Sequence, residues 1–276
     1  MTSTSTRPAI APTRRRGGVG ALYSGNARAV VYRGLRATGS TNYIVVATGF
    51  VEPVFYLLAL GVGLGSFVGP VSYGGIHIPY AAYIAPALLG VSAMNGAIYD
   101  STWNVFFKMH FARLYHGMLA TSLGPLDVAL GEILLALLRG GAYAVAFLIV
   151  MSALGLSLSW TVLLALPAVL LIAFGFASLG MGITSYLKTF QQMDWINFAL
   201  LPMFLLSATF YPLSVYPVPL QWVIEVFPLW HAVELLRGLT TGILSPAVFI
   251  HVGYFLVMIA VGLTFTTRRL RALFLD

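Results

Sequence analysis

The chain has 276 residues, of which 59% are hydrophobic and only 8% are charged, and its formal net charge is +7. A soluble domain carries about 25% charged residues, so this composition excludes an ordinary soluble protein and indicates an integral membrane protein. A charge of +7 would suggest nucleic acid as the partner of a soluble protein, but here the cations lie at the ends of apolar segments. The lack of cysteine excludes disulfides, thiolate metal sites and a cysteine nucleophile.

The N-terminal region divides into two parts. Residues 1–20 are rich in Ser, Thr and Pro, and no apolar run follows the three arginines at 14–16 directly, which predicts a disordered cytoplasmic tail. Residues 21–41 carry Arg28, Arg33 and Arg36 among apolar residues at helical spacing. This pattern predicts an amphipathic helix at the membrane surface, compatible with anionic lipid headgroups; a plain basic juxtamembrane segment is the alternative. Residues 42–276 are predicted to form one transmembrane domain.

Six apolar stretches are each about 20 residues long, which is the length that a helix needs to cross a bilayer. Lys and Arg occur before the first stretch and after the second, fourth and sixth, whereas the connection after the fifth holds only Arg237. Because cytoplasmic loops carry an excess of Lys and Arg, both termini are predicted to be cytoplasmic. The predicted fold class is an all-α integral membrane protein with six transmembrane helices at about 43–66, 80–105, 132–154, 160–186, 195–211 and 246–267.

Several kinds of chemistry are excluded by the sequence. A phosphate-binding loop needs Gly-Lys-Ser/Thr, but the two lysines, Lys108 and Lys188, follow Phe107 and Leu187. No His-Glu-x-x-His motif and no nucleophile elbow occurs. We therefore predict that this chain is not an enzyme and binds no cofactor. No metal site is predicted either, because the histidines of the 106–131 connection lack a third ligand at suitable spacing.

Three ionisable residues are predicted within the spans. Glu52, beside Pro53, lies in the first span, and an intramembrane carboxylate is a functional candidate by default. A structural role is the alternative, in a pair with Arg139 or with a backbone amide at the proline. Asp100 is predicted to be a helix-end residue near the inner end of the second span, and Arg139 lies about two turns into the third.

Small residues at four-residue spacing occur in two spans. Gly61 and Gly65 lie in the first span, and Ser178 and Gly182 lie in the fourth. This spacing lets transmembrane helices approach closely. We interpret the glycines of the first span as packing residues and not as a phosphate-binding loop, because they lie inside an apolar stretch.

The longest connection predicted on the cytoplasmic side spans residues 106–131. Its apolar residues recur at helical spacing among basic ones, which predicts a short amphipathic helix suited to docking in a partner's groove; a linker lying on the surface is the alternative. Gly124 and Pro125 end this helix, and Asp127 is a candidate cap for the next one. The candidate docking residues are Lys108, His110, Phe111, Arg113, Leu114, Tyr115 and His116.

The segment 204–239, between the last two spans, is apolar but broken by four prolines. Proline prevents one continuous helix, so the segment is predicted to enter the membrane from the outer side and turn back. Such broken backbone is tolerated at membrane depth only where protein or a water-filled cavity covers it. Glu234 and Arg237 are spaced for an ion pair on a helix. The candidate residues of this outer gate are Phe210, Tyr211, Pro212, Pro217, Pro228, Trp230, His231, Glu234 and Arg237.

From residue 21 onward, these features together resemble the permease subunits of ABC-2 type transporters. The outer segment LSATFYPLSVYPVPLQWVIEVFPLWHAVELLRGL is similar to the most characteristic region of that family. Two other stretches, GFVEPVFYLLALGVGLG and MLATSLGPLDVALGE, are similar to its nodulation-factor (lipooligosaccharide) and daunorubicin-type exporters.

The resemblance implies a division of labour between subunits. Two permeases, identical or paralogous, would form the pathway for an amphipathic substrate such as a glycolipid, a lipooligosaccharide or a hydrophobic drug. Two separate ABC ATPase subunits, which bind ATP and Mg, would dock on the coupling helix around residues 110–119. The complex would lie in the cell membrane of a prokaryote, in contact with lipids and not with nucleic acid, and the outer re-entrant hairpin would gate the exit.

Two other classes of function remain open from the residues alone. The first is a secondary carrier driven by protons, which would use Glu52 or Asp100. The second is a membrane-embedded enzyme or structural protein. A requirement for ATP separates the exporter from both alternatives.

Overall fold

The structure is a computed structural model that describes residues 23–37, 51 and 54–274. The predicted tail, Glu52, Pro53 and much of the first predicted span lie outside these described residues. The helices are α1 (Ala27–Ala37), α2 (Val54–Val68), α3 (Tyr80–Phe111), α4 (Leu114–Leu119), α5 (Pro125–Ala153), α6 (Trp160–Thr184), α7 (Asp194–Leu206), α8 (Val218–Val226), α9 (Pro228–Thr241) and α10 (Ala247–Phe274). One antiparallel hairpin, β1 (Val71–Tyr73) and β2 (Ile76–Ile78), joins α2 to α3.

Four of these helices, α3, α5, α6 and α10, are long and apolar enough to cross a membrane. They correspond to the second, third, fourth and sixth predicted spans, although α3, α5 and α10 extend several residues further than the sequence indicated. Helix α2 is a shorter apolar helix and α7 has 13 residues. The chain is therefore a mostly helical, membrane-type protein.

Helix α6 lies in the centre of the bundle and packs against α3, α5 and α10. Small residues permit this packing, because a Cβ added to Gly262 of α10 would collide with Ser178, and one added to Gly182 would crowd Phe265. A Cβ on Gly61 would likewise lie 3.2 Å from the Ala81 Cβ. The predicted close approach at Ser178, Gly182 and Gly61 is thus confirmed.

Helix α3 differs from its prediction in one respect that matters for the site. Its second half contains two π-helical stretches, Asp100–Asn104 and Phe107–Phe111. The expectation that Asp100 ends a helix was wrong, because the helix continues past it to Phe111. Widened π-helical turns of this kind are found frequently at functional sites.

The single docking helix predicted within residues 106–131 is also corrected. Arg113 has a φ of 47° and separates the end of α3 from the short helix α4. A left-handed residue cannot continue a right-handed α-helix. The connection therefore contains two helix ends that meet at Arg113.

The two ends of the bundle are formed by different elements. At the first, which we call the α1 end, α1 and α4 lie beside the start of α5, and Phe274 at the end of α10 packs edge-on against His116 with 4.7 Å between ring centroids. At the second, the hairpin end, the β-hairpin lies near α9, and α9 contacts α3 and α10. The cavity described next lies between these two ends.

Candidate functional site

A cavity of about 750 Å³ opens among α3, α5 and α7, with Tyr56 of α2 at its edge. Its lining contains both apolar and polar side chains. The apolar ones include Leu88, Val91, Leu200, Leu201 and Phe204, and the polar ones include Ser92, Asn95, Asp100, Arg139, Tyr143 and Asn197. Concave sites of this size, mainly apolar with a few placed polar groups, are typical of small-molecule binding.

The two charges of the cavity neutralise each other. Arg139 Nη1 lies 2.5 Å from Asp100 Oδ1, and Asn104 donates a second hydrogen bond to the same oxygen at 2.6 Å. A charge at membrane depth is costly unless it is paired, so this pairing keeps the cavity polar without a net charge. Glu52, which the sequence offered as one partner for Arg139, lies outside the described residues; among those described, Arg139 pairs with Asp100.

At the α1 end, the Asp127 carboxylate joins α1 to the start of α5. It accepts hydrogen bonds from the backbone N–H and the hydroxyl of Ser24 at 2.7 and 2.8 Å and from the backbone N–H of Asn26 at 2.9 Å. It also accepts the Gly124 N–H at 2.9 Å, so the predicted cap is confirmed. One fully buried carboxylate therefore caps α5 and holds the start of α1.

A second carboxylate at the α1 end, Glu132, receives two cations. Lys108 Nζ, near the end of α3, lies 2.5 Å from Glu132 Oε2, and Arg33 Nη2 of α1 lies 3.8 Å from Oε1. Glu132 was not singled out by the sequence, since it is the first residue of the third predicted span. It connects three separate elements, α1, α3 and α5.

The candidate docking residues fall into a buried or engaged group and an exposed group. Tyr115 is fully buried, and Lys108 is engaged by Glu132, so neither offers its polar group to a partner at this surface. Leu114 is half-buried. The remaining candidates His110, Phe111, Arg113 and His116 are exposed, with Phe111 at 64%. The surface available to a partner is thus smaller than the predicted set.

Burial raises the pKa of the Tyr115 hydroxyl well above its usual range. The nearby Glu132 carboxylate raises the pKa further, and the Arg33 guanidinium opposes this effect. The hydroxyl therefore stays protonated and can act as a donor.

At the hairpin end, Arg237 is the most deeply buried cation of the described residues. It pairs with Glu234 at 2.6 Å, so the predicted ion pair is present. It also donates to the Ala208 carbonyl at 3.1 Å and the Tyr83 carbonyl at 3.3 Å, and its guanidinium lies 3.9 Å from the centre of the Tyr83 ring. Arg237 thus joins α9 to α3 and to the turn after α7.

The β-hairpin is tied into the same network. The Tyr73 hydroxyl donates to Glu234 Oε2 at 3.1 Å, and its ring lies 5.5 Å from the Arg237 guanidinium. Burial, followed by the Glu234 carboxylate, raises the pKa of Tyr73 above its usual range. The hydroxyl is therefore a donor at any physiological pH. Tyr73 and Tyr83 were not predicted, because neither has a sequence signal beyond being aromatic.

A pair of histidines connects α9 to α10. The Nδ1 atoms of His231 and His251 are 2.8 Å apart, so one ring donates and the other accepts a hydrogen bond. Tyr254 stacks on His231 with 4.0 Å between ring centroids, and Trp230 packs against both histidines. The sequence indicated His231 alone, since His251 lies 20 residues away on another helix.

The other candidates for the outer gate have local structural roles. Pro228 is the first residue of α9 and Pro217 precedes α8, positions where a fixed φ favours a helix start. Pro212 precedes a short 3₁₀ turn. Phe210 packs edge-on against Phe204 at 5.2 Å, and Tyr211 is 52% exposed.

These observations define the class of protein as a helical integral membrane protein with a mainly apolar cavity, carrying a few polar side chains, among α3, α5 and α7. The ABC-2 type transporter family matches residues 26–241, and the chain belongs to that family. It is therefore the membrane component of a transporter, an ABC permease.

Curated relatives named Nodulation protein J are similar over most of the chain. The protein of Rhizobium leguminosarum bv. viciae is 30% identical over 221 residues, covering 80% of this chain and 84% of its own length. That of R. leguminosarum bv. trifolii is 31% identical over 221 residues, covering 80% and 83%. That of Sinorhizobium fredii is 35% identical over 188 residues, covering 67% and 70%.

Proposed function

We propose that this permease moves an amphipathic molecule across the membrane by way of the cavity among α3, α5 and α7. The observation that carries the proposal is that the cavity lining combines apolar side chains with hydrogen-bonding ones. A polar head group finds donors and acceptors at Asn95, Asn197 and the Asp100–Arg139 pair, while an apolar tail lies against Leu200 and its neighbours. A glycolipid, a lipooligosaccharide or a hydrophobic drug has this character.

The same lining argues against a proton-driven carrier. A carrier of that kind needs a carboxylate that gains and loses a proton during the cycle. Asp100 is engaged by Arg139 and Asn104, so among the described residues it belongs to a buried structural pair. The amphiphile exporter is therefore the better-supported function.

Two ABC ATPase subunits, carrying ATP and Mg, dock at the α1 end in this proposal. The exposed residues His110, Phe111, Arg113 and His116 offer aromatic and basic groups there. Lys108 and Tyr115 hold the docking region in place from inside. ATP drives movement because it binds one arrangement of the complex better than the other.

The α1 end is cytoplasmic in this arrangement, and the hairpin end faces outward. Basic residues support this orientation, since Arg28 and Arg36 of α1 and Arg268 of α10 lie at the α1 end. Helices α2 and α7 then belong to the first and fifth of six spans, and the segment from Phe210 to α9 forms the re-entrant outer gate.

A second permease, a copy or a paralogue, completes the pathway beside α7. Every described residue of α7 is at least partly exposed, and Trp195 and Phe198 are each 71% exposed. Apolar surface of this kind is covered by lipid or by another subunit in a membrane. The position of the cavity next to α7 favours a subunit.

Filling the cavity tests the proposed pathway. We expect Ser92→Trp to reduce transport of a fluorescent alkyl glycoside about tenfold or more in proteoliposomes that contain the permease and its ATPase, because the indole occupies part of the cavity. Ala260→Trp makes a similar change on an exposed face of α10 and should leave transport unchanged. Equal transport by both variants and the unsubstituted protein would place the pathway elsewhere.

A further inference from the structure

Three polar atoms at the α1 end are buried and lack a hydrogen-bond partner among the described residues. They are Arg33 Nε on α1, the Tyr115 hydroxyl on α4 and Glu132 Oε1 on α5. Buried polar groups are nearly always hydrogen-bonded, so each exception calls for a physical explanation. Here two unpaired donors and one unpaired acceptor belong to the same junction.

Glu132 uses only half of its capacity in this arrangement. Its Oε2 is engaged by Lys108 at 2.5 Å, but its Oε1 lies 3.8 Å from Arg33 Nη2, which is too far for a hydrogen bond. Helix α4, which carries Tyr115, packs against α5, so the Tyr115 hydroxyl is a second unpaired donor of this junction. A displacement of α4 relative to α5 would let Oε1 accept from both donors.

Helices α1 and α5 move as one body at this junction. A Cβ on Gly131 would collide with Val30, and one on Gly34 would collide with Leu135, so the two helices touch with no room to slide. The Asp127 carboxylate fixes their ends together. A displacement at the junction must therefore occur between this pair and the segment made of the end of α3 and α4.

We propose that Glu132 is a positioning residue that exchanges partners during transport, holding Lys108 in the arrangement described here and the Tyr115 hydroxyl with Arg33 in a second one. The inference rests on the proposed function, because docking of an ATPase on α4 supplies the force that moves Tyr115. In the second arrangement the three unpaired atoms satisfy one another, which offsets the loss of the Lys108–Glu132 ion pair. A displacement of α4 is then transmitted to α1 and α5, and α5 transmits it to Arg139 in the cavity.

The exchange is tested in the complex of the permease with its ATPase, reconstituted in lipid. Because the chain has no cysteine, spin labels can be placed on the Ala29→Cys and Ser122→Cys pair, at exposed positions on either side of the junction. We expect ATP with vanadate to change the distance between the labels by about 2 Å. The change should be absent from Glu132→Gln and reduced in Tyr115→Phe.

The number of substrate molecules moved per ATP gives a second readout, and a purely structural role of these residues would leave it unchanged. Tyr115→Phe and Glu132→Gln should each lower the number of alkyl glycoside molecules moved per ATP by about tenfold, with unchanged thermal unfolding for Tyr115→Phe. The double variant should be no worse than Glu132→Gln alone, because both remove the same interaction. Tyr32→Phe, at an exposed position of α1, is the matched control for Tyr115→Phe.

Two results would overturn the inference and leave the proposed function standing. The first is an unchanged label distance in an unsubstituted complex that transports with ATP, and the second is normal coupling in Tyr115→Phe. An unsubstituted complex that transports without ATP would overturn the proposed function and this inference together.

Discussion

Replacing Arg237 by Met is expected to lower the free energy of unfolding of the hairpin end by about 3 kcal/mol or more. The guanidinium is fully buried, and its loss leaves Glu234, the Ala208 carbonyl and the Tyr83 carbonyl without their donor. Breaking a buried pair by removing one partner is more damaging than removing both. The measurement is the thermal unfolding temperature of the purified protein in detergent.

The control for this prediction is Arg268→Met, the same change at an exposed arginine, which should leave the unfolding temperature within error. The double variant Arg237→Met with Glu234→Leu should recover part of the loss, because no carboxylate is then left unpaired. If Arg237→Met unfolds at the same temperature as the unsubstituted protein, the network is not what joins α9 to α3.

The second large effect is expected from Asp127→Asn, which keeps the shape of the side chain. An amide nitrogen replaces one carboxylate oxygen. It therefore faces backbone N–H groups of Ser24, Asn26 or Gly124 from which it cannot accept a hydrogen bond. The stability lost is about 2–3 kcal/mol, the cost of unmade hydrogen bonds to a buried charged group. Amide hydrogen exchange of α1 should become about 30-fold faster or more, since every 1.4 kcal/mol is a factor of ten.

Asp194→Asn is the matched control, because Asp194 is exposed at the start of α7. Its exchange rates in α1 should equal those of the unsubstituted protein. Normal protection of α1 in Asp127→Asn would contradict the assignment of Asp127 as the anchor of α1.

What the sequence predicted well depends on neighbours along the chain. The start of α5 could be read from Gly124, Pro125 and Asp127, because a helix cap is formed by residues three positions apart. The Glu234–Arg237 pair follows from the same local spacing. Four spans were found because apolar length alone identifies them.

What the sequence missed depends on contacts between distant segments. Asp100 and Arg139 are 39 residues apart, and Arg237 and Tyr83 are 154 apart. No local pattern distinguishes a carboxylate that pairs across the bundle from one that ends a helix, so Asp100 was misplaced and Glu132 was overlooked.

In the docking region the sequence also fails to reveal which residues are buried, even though these residues are close neighbours along the chain. Its apolar residues recur at helical spacing, which correctly predicts helix but does not say which face is buried. Tyr115 and Phe111 were therefore grouped together, although one is fully buried and the other is 64% exposed. Neither glycine nor proline occurs at the break at Arg113, so the local sequence gives no signal that a helix ends there.

If this permease is driven by an ATPase on another chain, its transport in proteoliposomes requires ATP. The permease is reconstituted with its partner ATPase, and movement of a fluorescent alkyl glycoside is followed with and without ATP. We predict movement only with ATP, and none when the phosphate-loop lysine of the partner is replaced by alanine. Movement that continues without ATP and collapses when an uncoupler removes the proton gradient would contradict the account.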